Sequence, residues 1–176
     1  MKTQPSSHFT SGRKAALRAR LLPAPEAFSL AGELRRAGGD FRCLHCGVIV
    51  SSDPLLSGVV NRNHCPYCLH SKHLDWQQPG DRLAVCKAPM TPAALACKPD
   101  RQKYGGGMGE LMLAHLCAGC GKLSLNRIAA DDHPQALLDV FERSLRQGAA
   151  ARRRLKQVGA RPLGPSDAEA LARMLG

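Results

Sequence analysis

The chain has 176 residues, a formal charge of +11, and only one Trp, two Tyr and four Phe. That length suits one domain with extensions or two small ones, and so few large side chains leave a core short of stability unless something else cross-links it. No apolar run approaches the length of a membrane span, and the first apolar stretch, Leu21-Leu22, is interrupted by Pro23 and Pro25, which argues against a secretory signal.

In chain order, residues 1–40 read as a basic, largely disordered arm, with seven Lys/Arg against three acids. Within it, Ser11 to Leu22 has the composition of a short basic helix; it is also Arg-rich and acid-poor, as organellar transit peptides are. Residues 41–132 hold every cysteine and form the expected domain. Val48-Ile49-Val50 reads as a strand leaving the first cysteine pair, and Val59-Val60 as a strand returning to the next. Leu83-Ala84-Val85 reads as a lead into Cys86, and Glu110 to Leu116 as an apolar strand entering Cys117. Asp81, Pro89, Pro92, Pro99 and Gly105 to Gly107 mark turns and loops. The Gly105–Gly109 stretch lacks the Gly-Lys-Ser/Thr of a phosphate loop and reads as a flexible hairpin loop. Residues 133–176 read as a helical basic extension. Asp132 is positioned to cap a helix opening at Pro134, with Leu137, Leu138, Val140, Phe141 and Leu145 at helical spacing. Ala149 to Lys156 follows with Arg152-Arg153-Arg154, then a break at Gly159, Pro162, Gly164 and Pro165. A capping box, Ser166 to Glu169, then opens a last helix from Ala168 to Leu175.

The cysteines carry the strongest signal. Three C-x-x-C pairs, Cys43/Cys46, Cys65/Cys68 and Cys117/Cys120, have zinc-ribbon spacing. Zinc takes four N or S ligands at about 2.0–2.3 Å, and one tight turn supplies two of them. The glycines after Cys46 and Cys120 suit a turn that needs positive φ. The fold class expected is a small, metal-dominated α+β domain: two zinc-ribbon-like knuckle sites with short antiparallel strands, then the helical extension. The cofactor is Zn²⁺, in two copies, and a structural zinc can supply the missing stability, roughly 10–16 kcal/mol in small fingers. One site is expected from Cys43, Cys46, Cys65 and Cys68. Cys86 joins Cys117 and Cys120 in the other, with His73, His115 or Cys97 as fourth ligand. A competing arrangement joins Cys43/Cys46 to Cys117/Cys120, leaving the middle pair to Cys86 and a histidine; spacing alone leaves both open. Cys97, in a Pro-flanked loop, reads as a thiol without a metal. Four disulfides would suit a secreted protein instead, but a reducing, cytoplasmic setting is expected here. Counting seven thiolates and two Zn²⁺ ions lowers the charge from +11 to about +8, so the chain stays basic.

The string Asn61-Arg62-Asn63-His64-Cys65-Pro66-Tyr67-Cys68-Leu69-His70-Ser71-Lys72-His73-Leu74-Asp75 resembles the RNHCP domain family, named for Arg62 to Pro66. The resemblance extends to Pro79-Gly80-Asp81-Arg82, Cys86, Met90-Thr91-Pro92 and Asn126 to Asp132, about residues 41–132. It implies a compact zinc-binding module rather than a reaction, with Cys43, Cys46, Cys65, Cys68, Cys86, Cys117 and Cys120 on the family's cysteine pattern and Cys97 off it.

Three functions compete. A non-catalytic, zinc-stabilised nucleic-acid binder, associated with RNA or the ribosome, is favoured by the charge. Its contacts would be Asn61, Arg62, Lys72, Arg82, Asn126, Arg127, Arg152, Arg153 and Arg154, with Lys87 and Lys122 extending the surface and Tyr67 and Trp76 offering stacking faces. Against this, Asn61, Arg62, Asn126, Arg127, Asp131 and Asp132 can instead brace the fold by pairing with one another. A metal-dependent nuclease or hydrolase would draw on His64, His73, Asp75, Asp131 and Asp132, but the zinc deaminase signature and His-Glu-x-x-His are absent. A protein-interaction adaptor would dock a partner through the C-terminal helices. A dithiol redox switch is weaker, because no thioredoxin-like context accompanies the pairs.

Overall fold

A computed structural model describes residues 39–99 and 109–176. The basic arm up to residue 38, with its Ser11–Leu22 segment, and residues 105–108 of the glycine stretch lie outside the described residues. A two-stranded ribbon comes first, β1 (Phe41–Arg42) paired antiparallel with β2 (Ile49–Val50). A single helical turn, α1 (Pro54–Ser57), follows. Asp53 caps it by accepting the Leu55 N–H at 2.9 Å, and Gly58, at φ 68°, closes it.

The main sheet runs β3 (Ser71–Lys72), β4 (Pro89–Lys98), β5 (Glu110–Cys117), β6 (Leu123–Arg127), and a two-residue strand β7 (Arg161–Pro162) adds to β4. β5 is the strand expected from its apolar run. β4 corrects the reading of Pro89 and Pro92 as turn markers and of Cys97 as a loop thiol. Proline is tolerated in a strand at its first residue or at a bulge. Pro89 is the first residue, and the register slips between Pro92 and Ala94. Val59-Val60 and Leu83–Val85, expected as strands, are irregular connections; Val60, Leu83 and Val85 are exposed, so no partner strand covers them.

Alternation along β4 and β5 sorts side chains by size. Leu95, Cys97, Leu111 and Leu113 share one face. Helix α2 (Pro134–Leu145) covers that face with Leu137, Val140 and Phe141, and α4 (Ala168–Leu175) adds Leu171. Ala94, Ala96 and Ala114 form the other face, where α3 (Ala149–Gln157) brings Leu155 against the alanines. Each fully buried leucine contributes roughly 1.5–3 kcal/mol. The helix ends differ from the sequence reading. His133, with no side-chain bond, occupies the cap position of α2, because the Asp132 carboxylate is engaged by the Ala129 N–H at 2.8 Å and by His64. Nor does Ser166 cap α4. A 3₁₀ turn, Pro165–Asp167, leads into it, and Asp167 takes the Gly164 N–H and both arms of Arg161.

Residues 133–176 thus supply the helices over both faces of the sheet and one of its strands. A chain ended after Leu145 loses Leu155, Leu163 and Leu171, which are 3%, 1% and 0% exposed. It is expected to lose its cooperative thermal transition; an unchanged melting temperature would show that the zinc-bearing part closes its core unaided.

Candidate metal centres

The three C-x-x-C pairs fold as one repeated turn. In each, the first cysteine's carbonyl accepts an N–H from the residue four further on: Gly47 at 3.0 Å, Leu69 at 2.9 Å and Gly121 at 3.1 Å. Those three residues have φ of 77°, 59° and 71°. Glycine takes such angles without strain, whereas a leucine there costs about 1–2 kcal/mol. Leu69 is fully buried in the main core, and that burial offsets the strain.

Cys43, Cys46, Cys65 and Cys68 converge in one group, and His73, Cys86, Cys117 and Cys120 in another, each with its four donor atoms within 4.8 Å of one another. The arrangement joining the two glycine-bearing turns does not form, and neither His115 nor Cys97 belongs to either group. Sheet pairing assembles the second group. β3 pairs with the start of β4 at Ser71 and Met90, and the His73 N–H donates to the Ala88 carbonyl at 2.9 Å, bringing His73 beside Cys86. Met90 lies opposite Cys117 on β5.

The spacing of the sulfurs tests whether zinc fits. Cys43 and Cys68 Sγ are 3.6 Å apart, Cys46 and Cys65 3.7 Å, Cys86 and Cys117 3.6 Å, and Cys86 and Cys120 3.8 Å. A disulfide would need about 2.05 Å. A zinc tetrahedron with bonds of about 2.3 Å has sulfur–sulfur edges of about 3.8 Å. His73 Nδ1 is 3.4 Å from Cys120 Sγ, close to the nitrogen–sulfur edge of about 3.5 Å, and 2.8 Å from Cys86 Sγ. Electrostatics agree. Burial pushes the Cys43 thiol up, but N–H donors of Cys46 and His45 outweigh it and bring it down to about 7. Cys117 behaves alike: burial opposes the N–H groups of Cys120 and Gly119, which bring it down to about 6. Burial and neighbouring sulfurs push Cys68 well above the usual thiol range. Sulfurs packed this closely cannot all ionise without a cation among them. Two clusters can therefore each hold a metal ion, and the donor sets suit zinc. Arg42 Nε donates to the Gly47 carbonyl at 3.0 Å, and Arg154 Nη2 to that of Gly121, so a guanidinium lies against each glycine-bearing turn. His45 and His70 stack beside Cys68 and form a third grouping with it, but that cysteine already belongs to the first cluster.

Arg62, expected among the nucleic-acid contacts, has a side chain with no exposed surface. It donates to Asp131 at 2.7 Å and to the His64 carbonyl at 3.2 Å, and lies 3.6 Å from Asp132. Asp132 in turn meets His64 Nε2 at 2.9 Å. The bracing alternative describes Arg62 here. Asn126 Nδ2 donates to His115 Nδ1 at 2.7 Å, while His115 Nε2 donates to the Leu69 carbonyl at 2.6 Å. Burial, with His64 nearby, brings His115 down to about 3, which keeps this ring neutral. Asn61, Arg62, Asn126 and Arg127 do come together, lining one cavity of about 410 Å³. Arg127 pairs with Glu110 at 2.8 Å and Arg82 lies 3.6 Å from Asp75. Lys72 lies by the first cluster, far in sequence from Arg152, Arg153 and Arg154 on α3. Asp81 was read only as a turn marker. It accepts the N–H groups of Gln78, Leu83, Trp76 and Gln77, which hold its carboxyl well below the usual range and fix the loop before Cys86. The Pro-Gly-Asp run was its signal.

The family model of the RNHCP domain matches residues 38–138. No curated protein and no solved structure matches the chain.

Purified protein is expected to carry two zinc ions per chain, and His73→Ala to keep the Cys43/Cys46/Cys65/Cys68 ion while losing the other, read by elemental analysis. Equal zinc in both proteins would remove His73 from the ligand set. Separately, Arg62→Ala leaves Asp132 buried beside one partner fewer and should destabilise the fold by about 3–5 kcal/mol in chemical denaturation. A loss under about 1 kcal/mol, the level of an exposed pair, would assign Arg62 to the surface instead.

Proposed function

The chain belongs to the RNHCP domain family, and on that premise we propose that it is a zinc-stabilised, non-catalytic nucleic-acid-binding protein that associates with RNA, the ribosome included. The observation that carries this reading is a cationic helix without counter-charges. Among the described residues, Arg62, Arg82, Arg127, Arg161 and Arg173 pair with carboxylates. No carboxylate among the described residues lies within ion-pairing distance of Arg152, Arg153, Arg154 or Lys156 of α3, and the helix itself contains no acid. Such a surface can neutralise phosphates, and the cations condensed on a nucleic acid are then released, which drives binding to phosphate backbones.

Closed metal centres support the non-catalytic part. Each cluster offers four protein donors, which fill a tetrahedron, whereas catalytic zinc keeps one position for water. The zinc supplies a cross-link between distant segments. His64 and Asp132, candidates for a hydrolase, are buried and engaged with each other. The C-terminal helices give an adaptor little to work with, since Leu137, Val140, Phe141 and Leu171 face the protein's own sheet. No helix among the described residues is long and apolar enough to cross a membrane; the cytoplasmic setting is proposed because the thiolates must stay reduced.

Tagged protein should co-sediment with ribosomes or an RNA particle from lysate, and RNase or high salt should release it. With purified single-stranded RNA, Arg152→Ala/Arg153→Ala should weaken binding and lower the slope of log affinity against log salt by about 1.4, the share of two phosphate contacts. Migration as a small free protein under every condition, or a slope untouched by the double substitution, would overturn the reading.

A further inference from the structure

A cavity of about 570 Å³ opens beside the first cluster, between β1 and the β3–β4 edge. This is within the range of small-ligand sites, roughly 300–1,000 Å³. Its walls join two chemistries. Phe41, Leu44 and Leu74 make an apolar surface, while Arg42, Lys72 and Arg82 bring positive charge, and no carboxylate lines it. Lys72 has no carboxylate partner among the described residues, and Arg82 Nη1 donates no hydrogen bond although it lies 3.6 Å from Asp75. His45 and His70, also in the lining, stack with ring centroids 3.5 Å apart and planes within 2°. That is the spacing at which flat heterocycles stack, and His45 is exposed, so its ring can continue the pile.

We propose that this cavity receives one unpaired nucleotide of a bound RNA strand, its base against Phe41, Leu74 and the His45–His70 stack and its phosphate at Lys72 and Arg82. The occupant follows from charge and shape together. An apolar slot with a cationic rim and no acid selects a flat anion. Residues 1–38 of the chain, with seven Lys/Arg against two acids, carry the wrong sign to compete for it. The cavity lies apart in sequence from the cationic helix α3, so the helix supplies backbone attraction and the cavity supplies contact with a base. This inference rests on the RNA-binding reading and adds to it where a base, rather than a phosphate, is read.

The test compares a fluorescein-labelled oligouridine with an abasic oligomer of the same length and phosphate count, by anisotropy on the full zinc-loaded chain. The uridine strand should bind roughly tenfold more tightly, the loss typical of one stacked base. Lys72→Gln and Phe41→Ala, checked for unchanged zinc content and circular dichroism, should remove most of that difference. Arg152→Ala/Arg153→Ala should weaken both strands in proportion and leave the difference intact. Equal affinity for the two strands in the wild type would overturn the base site while leaving RNA binding standing. Failure of both strands to bind would overturn the RNA reading and the base site with it. Competition by free uridine monophosphate separates the sources of the nucleotide. Displacement only far above the oligomer's own concentration is expected; displacement at matching concentration would assign the cavity to a free nucleotide instead.

Discussion

Seven sulfurs and one imidazole nitrogen are gathered into two groups whose members lie within 4.8 Å of one another, and the rest of the structure depends on that crowding. Thiolates so close repel unless a dication sits among them, so the clusters are both the strongest cross-links available and the costliest arrangement without metal. The sheet and the clusters impose each other. Pairing of Ser71 with Met90 and of Met90 with Cys117 brings the second group's ligands to one end of the sheet. Leu69 belongs to both systems, since it closes the middle cysteine turn at φ 59° and is buried beneath α2. With Trp76 and Tyr67 exposed, a core whose buried aromatic is Phe141 can then rest on leucine and alanine layers.

The signature string from Arg62 to Pro66 is buried along its whole length. Arg62 holds Asp131 and the His64 carbonyl, the Asn63 carbonyl accepts the Ser71 hydroxyl at 2.6 Å, and His64 meets Asp132. Cys65 belongs to the first cysteine cluster, and the Pro66 carbonyl accepts the His133 N–H at 2.9 Å. Arg62, His64 and Pro66 turn toward the segment 131–133, Cys65 toward the first cluster, and Asn63 toward Ser71. The string that marks the family is therefore a demand of the fold. The string itself supplies little free charge to a surface, and only Arg62 and Asn63 of it border the cavity beside the first cluster.

This explains what the sequence could and could not convey. Ligand spacing, the β5 run and the helices α2 to α4 were legible because each rests on a local period or a fixed turn. Final assignment of ligands was not, since three equivalent turns can be joined in more than one way and only strand register chooses. β4 was hidden because Pro89 and Pro92 look like breakers, and their harmless placement, at a strand start and at a bulge, is known only once partners are known. Arg62 read as a surface cation because arginine rarely lies buried without a partner, and its partners stand some seventy residues on. Asp132 read both as a cap for α2 and, in the bracing alternative, as a partner of Arg62; the structure keeps the brace and gives the cap position to His133.

The same sorting gives the surface its character. Arginines that have carboxylates, Arg62 above all, are neutralised within the protein. Thiolate clusters draw Arg42 and Arg154 against their turns. After these interactions are satisfied, positive charge still remains at Arg152, Arg153 and Lys156 of α3 and at Lys72 beside one cavity, with no carboxylate partner among the described residues. Charge that the fold does not consume must be balanced from solution. A polyanion can balance it and, in doing so, release the cations condensed on its own phosphates, which favours binding. A metal-braced scaffold whose interior uses its own acids so fully is, by that accounting, left with a surface disposed toward phosphate.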